Sequence, residues 1–238
     1  MLLHEAQDSL HRMTPDLALA SGFIPAVKRN EIAALFGYFA HLLSVVEQTR
    51  EPMLGEIRLQ WWRDVWTGLR PESEIRSHPL ASFLTDLINQ HHLPMSGLAD
   101  MVDAVSQFFY DDPPDDFMAL EYDLGRTYSV LLRYASLLLA EGKECGPADL
   151  AGQAGIAYAI SAHLCTVPFH QLRGLRMIPA SLGVDVTQSP TGSASQDLRP
   201  VLMALLDRAQ HRFDEFQTLF KLCPSSVRPA FAVMGLVA

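Results

Sequence analysis

The chain has 238 residues, 49% hydrophobic and 19% charged, a balance that excludes a disordered polymer and provides for a large core. A formal net charge of −9 argues against general nucleic-acid binding, which relies on Lys and Arg to neutralise phosphate. Three scattered cysteines, Cys145, Cys165 and Cys223, with no CxxC pair, argue against a disulfide framework or a zinc site and fit a reducing, intracellular compartment.

The first residues, MLLHEAQDSLHRM, carry acids early and no long apolar stretch, so no signal peptide is expected. No segment reaches the ~18 uninterrupted apolar positions of a membrane span. A cytoplasmic protein is expected, with membrane contact at most peripheral. Helical periodicity is strong over Asn30 to Glu47, where Ile32, Leu35, Phe36, Phe39, Leu42, Leu43 and Val46 follow an i, i+3, i+4 pattern.

Beyond Pro52 a second helix is predicted over Leu54 to Leu69, within the segment LGEIRLQWWRDVWTGLR. It places Trp61, Trp62 and Trp66 within six positions. On a helix Trp62 and Trp66 stack at i and i+4, whereas Trp61 points about 100° away. That assigns Trp62 to the core and makes Trp61 the candidate anchor for a protein partner.

Further helices are predicted over Leu80 to Gln90, Gly97 to Phe109, Phe117 to Glu141, Pro147 to Val167 and Leu198 to Leu222. Pro79, Pro94 and Pro113-Pro114 punctuate them. His91-His92 reads as loop. Thr187 to Gln196, TQSPTGSASQ, reads as a flexible loop. With no alternating strands and no internal repeat, the expectation is an all-α single domain over residues 1–238, a bundle of about nine helices. The closing AFAVMGLVA is apolar to its end and must pack on the core, a partner or a lipid surface.

Asp111-Asp112-Pro113-Pro114-Asp115-Asp116 matches the DDxxD pattern that binds magnesium diphosphate. That chemistry needs carboxylates on one helical face, and two prolines oppose a continuous helix. Acids before Phe117 instead suit the start of a helix. Ser44 and Ser161 have no neighbouring base that would make either a nucleophile.

Pro25-Ala26-Val27-Lys28-Arg29 followed by Ala34-Leu35-Phe36-Gly37-Tyr38-Phe39 resembles the first helix of the squalene/phytoene synthase family. The resemblance implies an all-α isoprenoid-synthase bundle with a magnesium-binding DDxxD in the next turn. Those positions hold Leu43, Ser44, Val45, Val46 and Glu47, so only Glu47 keeps a carboxylate. Gly152 to Pro179 resembles the second acidic helix, yet Thr166 and His170 stand where the family's DxxxD acids are expected. Pro168 between them is expected to interrupt that helix. Tyr122 and Thr127 fall in the region of the intervening helix. Arg173 and Arg176 keep the basic turn and are candidates for anion binding.

Leu54, Gly55, Arg58, Gln60 and Trp62, with Thr166, Pro168 and His170, resemble a degenerate branch of the family linked to assembly of respiratory complex I. The implied reading is a protein- or isoprenoid-binding factor with no catalytic residue and no cofactor. Its degenerate pocket positions are Leu43, Ser44, Glu47, Tyr122, Thr166 and His170. The alternative is an active prenyltransferase acting on isoprenyl diphosphates, with magnesium held by Glu47, His170 and outside acids. Either way one carboxylate on one helix is poorly suited to a cluster of divalent cations.

Overall fold

The apolar periodicity becomes eleven α-helices among the residues that the computed structural model describes. It describes residues 2–49, 51–110, 113–144, 146–172, 178–183 and 199–237, without the side chains of 2–5 and 166–172. In chain order the helices are α1 (Leu2–Met13), α2 (Pro15–Ser21), α3 (Ala26–Gln48), α4 (Pro52–Trp66), α5 (Glu72–Ser77) and α6 (Pro79–Gln90). There follow α7 (Ser96–Ser106), α8 (Phe117–Leu124), α9 (Val130–Leu139), α10 (Leu150–Leu172) and α11 (Arg199–Phe220). The fold is all-α, and no strand occurs among the described residues.

α3 is the central helix. Every residue from Ala34 to Ala40 is buried, so it meets neighbours on all sides rather than along one stripe. α1 lies along it, and Gly37 makes the approach possible: a Cβ there would come within 3.0 Å of the Ala6 carbonyl oxygen. α10 packs along α11 on one side and against a π-helical turn, Gly125–Ser129, on the other. Gly155 permits the second contact, since a Cβ would fall 2.4 Å from Ser129 backbone atoms.

Three features depart from the sequence expectation. α1, α2 and α5 lie outside the seven ranges predicted from periodicity, and with the division of Phe117 to Glu141 they bring the described helices to eleven; each buries few residues, Ala6, Ser9 and Leu10 among the described side chains of α1. The helix expected over Phe117 to Glu141 is α8 and α9 joined by the π turn. α10 runs through Pro168 to Leu172 and is not interrupted. A proline in a helix removes one N–H and strains one turn, a cost that flanking helical turns can absorb. The C-terminal apolar segment forms a 3-10 helix, Arg228–Leu236, that buries Ala230, Phe231, Val233 and Met234 in the core.

The segment around Pro113-Pro114 starts α8, as its acids suggested. Asp116 is the N-cap, its carboxylate accepting the Ala119 N–H at 2.9 Å. The Pro114 and Asp115 carbonyls accept N–H bonds from Ala180 and Ser181, tying this turn to the chain after α10. Asp111, Asp112 and the loop at Thr187 to Gln196 lie outside the described residues. No helix among the described residues is long and apolar enough to cross a membrane.

Candidate functional site

Between α3, the π turn and α10 lies a chain of buried aromatic rings. Phe39 meets Tyr128 edge-on at 4.9 Å, and Tyr128 in turn meets Tyr158 at 5.4 Å and His163 at 6.0 Å. The Tyr158 hydroxyl donates to the Asp16 carboxylate from α2. Burial and then the Asp16 charge push the Tyr158 pKa far up, so the phenol stays protonated and serves as a donor. A π turn commonly marks a functional position in a helix. Here it turns Thr127 and Tyr128 into the bundle, with Thr127 bonded back to the Leu124 carbonyl at 3.1 Å.

The last turns of α3 carry the first group of candidate residues. Leu43 is half-buried against the core. Ser44 is buried and donates its hydroxyl to its own helix, at the His41 carbonyl, 2.7 Å away. Glu47 is exposed. Thr166 and His170 occupy helical positions near the end of α10, while their side chains, and Arg173 and Arg176 altogether, lie outside the described residues. Tyr122 is 65% exposed on α8 with the Arg126 guanidinium stacked 5.4 Å from its ring, so it faces solvent.

α4 is held on its inner face by tryptophan. Trp62 and Trp66 are buried and stacked at 6.0 Å, both edge-on to the buried Tyr38, and the Trp66 indole N–H donates to the Tyr38 hydroxyl at 2.7 Å. Gly55 is required because Phe109 presses on its backbone, where a Cβ would overlap the ring. Gln60 links Arg63 and Asp64, each at 2.6 Å, and Arg63 reaches Asp103 on α7. Trp61 is half-buried. It packs against His78 at 4.8 Å, with Arg70 over its ring at 6.0 Å, so it is neither a core residue nor a free prong.

A charged cluster fixes the other side of the bundle. Glu121 of α8 is buried and accepts four bonds of 2.6–2.7 Å from Arg208 and Arg212 of α11. Arg212 also donates to Gln153 of α10 at 3.1 Å. Burial pushes the Glu121 pKa up, but the hydrogen bonds from Arg212 and Arg208 outweigh it and hold the carboxyl below its ordinary value. Sequence reading missed this cluster because the partners are 87 and 91 positions apart. The i, i+4 spacing of Arg208 and Arg212 on the buried side of α11 was its only signal.

The profile of the squalene/phytoene synthase family matches residues 10–238. The chain belongs to the squalene/phytoene synthase family. Among solved structures, the crystal structure of a dehydrosqualene synthase in complex with ligand is similar to it with a TM-score of 0.74. That alignment covers 99% of this chain and 83% of the other at 17% identity, a likeness of fold. No curated protein sequence matches it significantly.

The family's fold implies magnesium, and the described residues do not fit it. Magnesium takes hard oxygen donors, held by carboxylates, in octahedral geometry. At the end of α3 the donors on offer are a hydrocarbon, a hydroxyl already bonded to the backbone, and one exposed carboxylate. Among the described residues no group of three or more His, Cys, Asp or Glu side chains is arranged to hold a metal ion.

Proposed function

We propose that this member of the squalene/phytoene synthase family binds and does not catalyse: a protein- or isoprenoid-binding factor built on a prenyl-transfer fold. Fold membership alone does not carry activity. The supporting observation is the identity of the residues at the end of α3. Leu43, Ser44 and Glu47 stand where carboxylates would organise cations around a diphosphate, and Ser44 has turned its hydroxyl to the His41 carbonyl. Loss of a diphosphate leaving group requires its charge to be neutralised, and a single exposed Glu47 supplies little of that. The resemblance of the LGEIRLQWW segment to the branch linked with respiratory complex I assembly supports a partner protein as the target, with a cytoplasmic location.

Pyrophosphate release tests this. With farnesyl or geranylgeranyl diphosphate and magnesium, the purified protein should release none above background. Turnover that is lost in Glu47→Gln would overturn the reading, because the lone carboxylate would then still organise metal.

A further inference from the structure

The His91-His92 pair lies where three helix ends meet. His91 directly follows α6. Its Nε2 is 3.6 Å from a Glu31 carboxylate oxygen on the first turns of α3, and its Nδ1 is 3.7 Å from a Glu141 oxygen just beyond α9. The Lys28 ammonium completes the group, 3.1 Å from the Glu31 carboxylate and 2.9 Å from that of Glu141. The His91 side chain is only 3% exposed, and its buried Nε2 has no hydrogen-bond partner among the described residues. α1 and α5 also pack on α6, but among the described residues neither brings a charged side chain into ion-pair contact with His91.

The backbone on both sides of this group is held in a sparsely populated form. Glu141 and His92 adopt left-handed φ angles of 55° and 51°, which residues other than glycine seldom take. Gly142, at φ 80°, lies so close to His91 that a Cβ would fall 2.3 Å from the His91 carbonyl oxygen. The turn 140–143, which leads toward α10, therefore rests backbone to backbone on the end of α6. The imidazole–carboxylate contacts, just beyond hydrogen-bond length, are the adjustable part of that junction.

A neutral imidazole carries one N–H, so one carboxylate faces a donor and the other faces a lone pair. With Lys28 charged and both carboxylates ionised, the group then holds one uncompensated negative charge. A proton on the second ring nitrogen gives each carboxylate a donor and brings the total to zero. Burial lowers the Lys28 pKa, but the hydrogen bonds it donates to Glu141 and Glu31 outweigh this and raise it above its ordinary value. The Lys28 hydrogen bond foremost holds the Glu141 carboxyl below its ordinary value, and the Lys143 charge adds to this. Lys28 and Glu141 thus stay charged while an imidazole titrates.

We propose that His91 is a proton-operated latch: protonated, it draws Glu31 and Glu141 onto its two ring nitrogens and clamps the turn 140–143 against α3 and α6, and on losing the proton it lets that turn open. The closed form holds the extra proton, so closing is favoured as pH falls and lost as pH rises through the imidazole range. The latch lies outside the end of α3 and of α10, and it does not depend on how the positions there are read.

The test is amide hydrogen exchange of the full chain, read by mass spectrometry at about pH 5.5 and about pH 8 and corrected for the intrinsic exchange rate. Protection of a peptide spanning 140–144 should be about threefold or more greater at the lower pH, while protection of a peptide within α7 should not rise with it. In His91→Gln and in Glu141→Gln the turn should be protected alike at both pH values. Glu141 is 63% exposed, so its variant carries the test even if loss of the buried imidazole prevents folding. Wild-type protection that is the same at both pH values, or that rises equally in α7, would overturn the proposal. So would a pH dependence that persists in Glu141→Gln.

Discussion

Individual side chains divide the tryptophan segment into three roles. Trp62 and Trp66 fill the core, and Trp66 also satisfies the Tyr38 hydroxyl, whose onward contact is the Leu98 carbonyl at 3.4 Å. Trp62→Ala should cost roughly 3–5 kcal/mol, the range for deleting a large buried aromatic. Trp61→Ala, half-buried between His78 and Arg70, should cost about 1–2 kcal/mol. Denaturant melts of the two variants check the ordering. His41 makes a separate prediction. Its folded pKa, about 4, lies below the ordinary 6.5, so the unfolded chain takes up a proton first as pH falls. Stability should therefore decline between pH 6.5 and about 4, by at most about 3 kcal/mol from this residue. His41→Gln should flatten that part of a stability–pH profile. The core tryptophan was legible from i, i+4 spacing; the imidazoles beside it were not, because His41 lies on α3 and His78 at the junction of α5 and α6.

Helices and their junctions show how local chemistry was read and where it misled. The diproline turn behaved as backbone physics requires: Asp116 caps α8 rather than presenting a carboxylate from a helical face. The same reasoning failed at Pro168, where α10 continues, because its helical turns continue on both sides of the proline. The junction of α8, α10 and α11 rests on Glu121. Glu121→Gln would leave Arg208 and Arg212 partly buried without their counter-charge, and should cost about 3–5 kcal/mol at neutral pH. A carboxyl with a lowered pKa stabilises the fold above its unfolded value of 4.5, and that contribution is lost as pH falls through the folded pKa. The acid limb below pH 4.5 should therefore be shallower in Glu121→Gln than in wild type. Urea melts at pH 7 and pH 3.5 measure both effects.

For the whole molecule, the helical class and the longer helices were readable from 3.6-residue periodicity, and the family from the order of its motifs, whereas α1, α2, α5 and the break between α8 and α9 were not. The contacts that shape the interior were not. The ring chain of Phe39, Tyr128, Tyr158 and His163 joins residues separated by up to 124 positions in three elements, and no local pattern announces it. What remains central is whether the end of α3 still recruits a magnesium-bound diphosphate. Titration of the protein with farnesyl thiolodiphosphate, with and without magnesium, asks this without relying on turnover. Magnesium should leave the affinity unchanged, and Glu47→Gln should bind as wild type does. Tightening of tenfold or more on adding magnesium, abolished in Glu47→Gln, would contradict this.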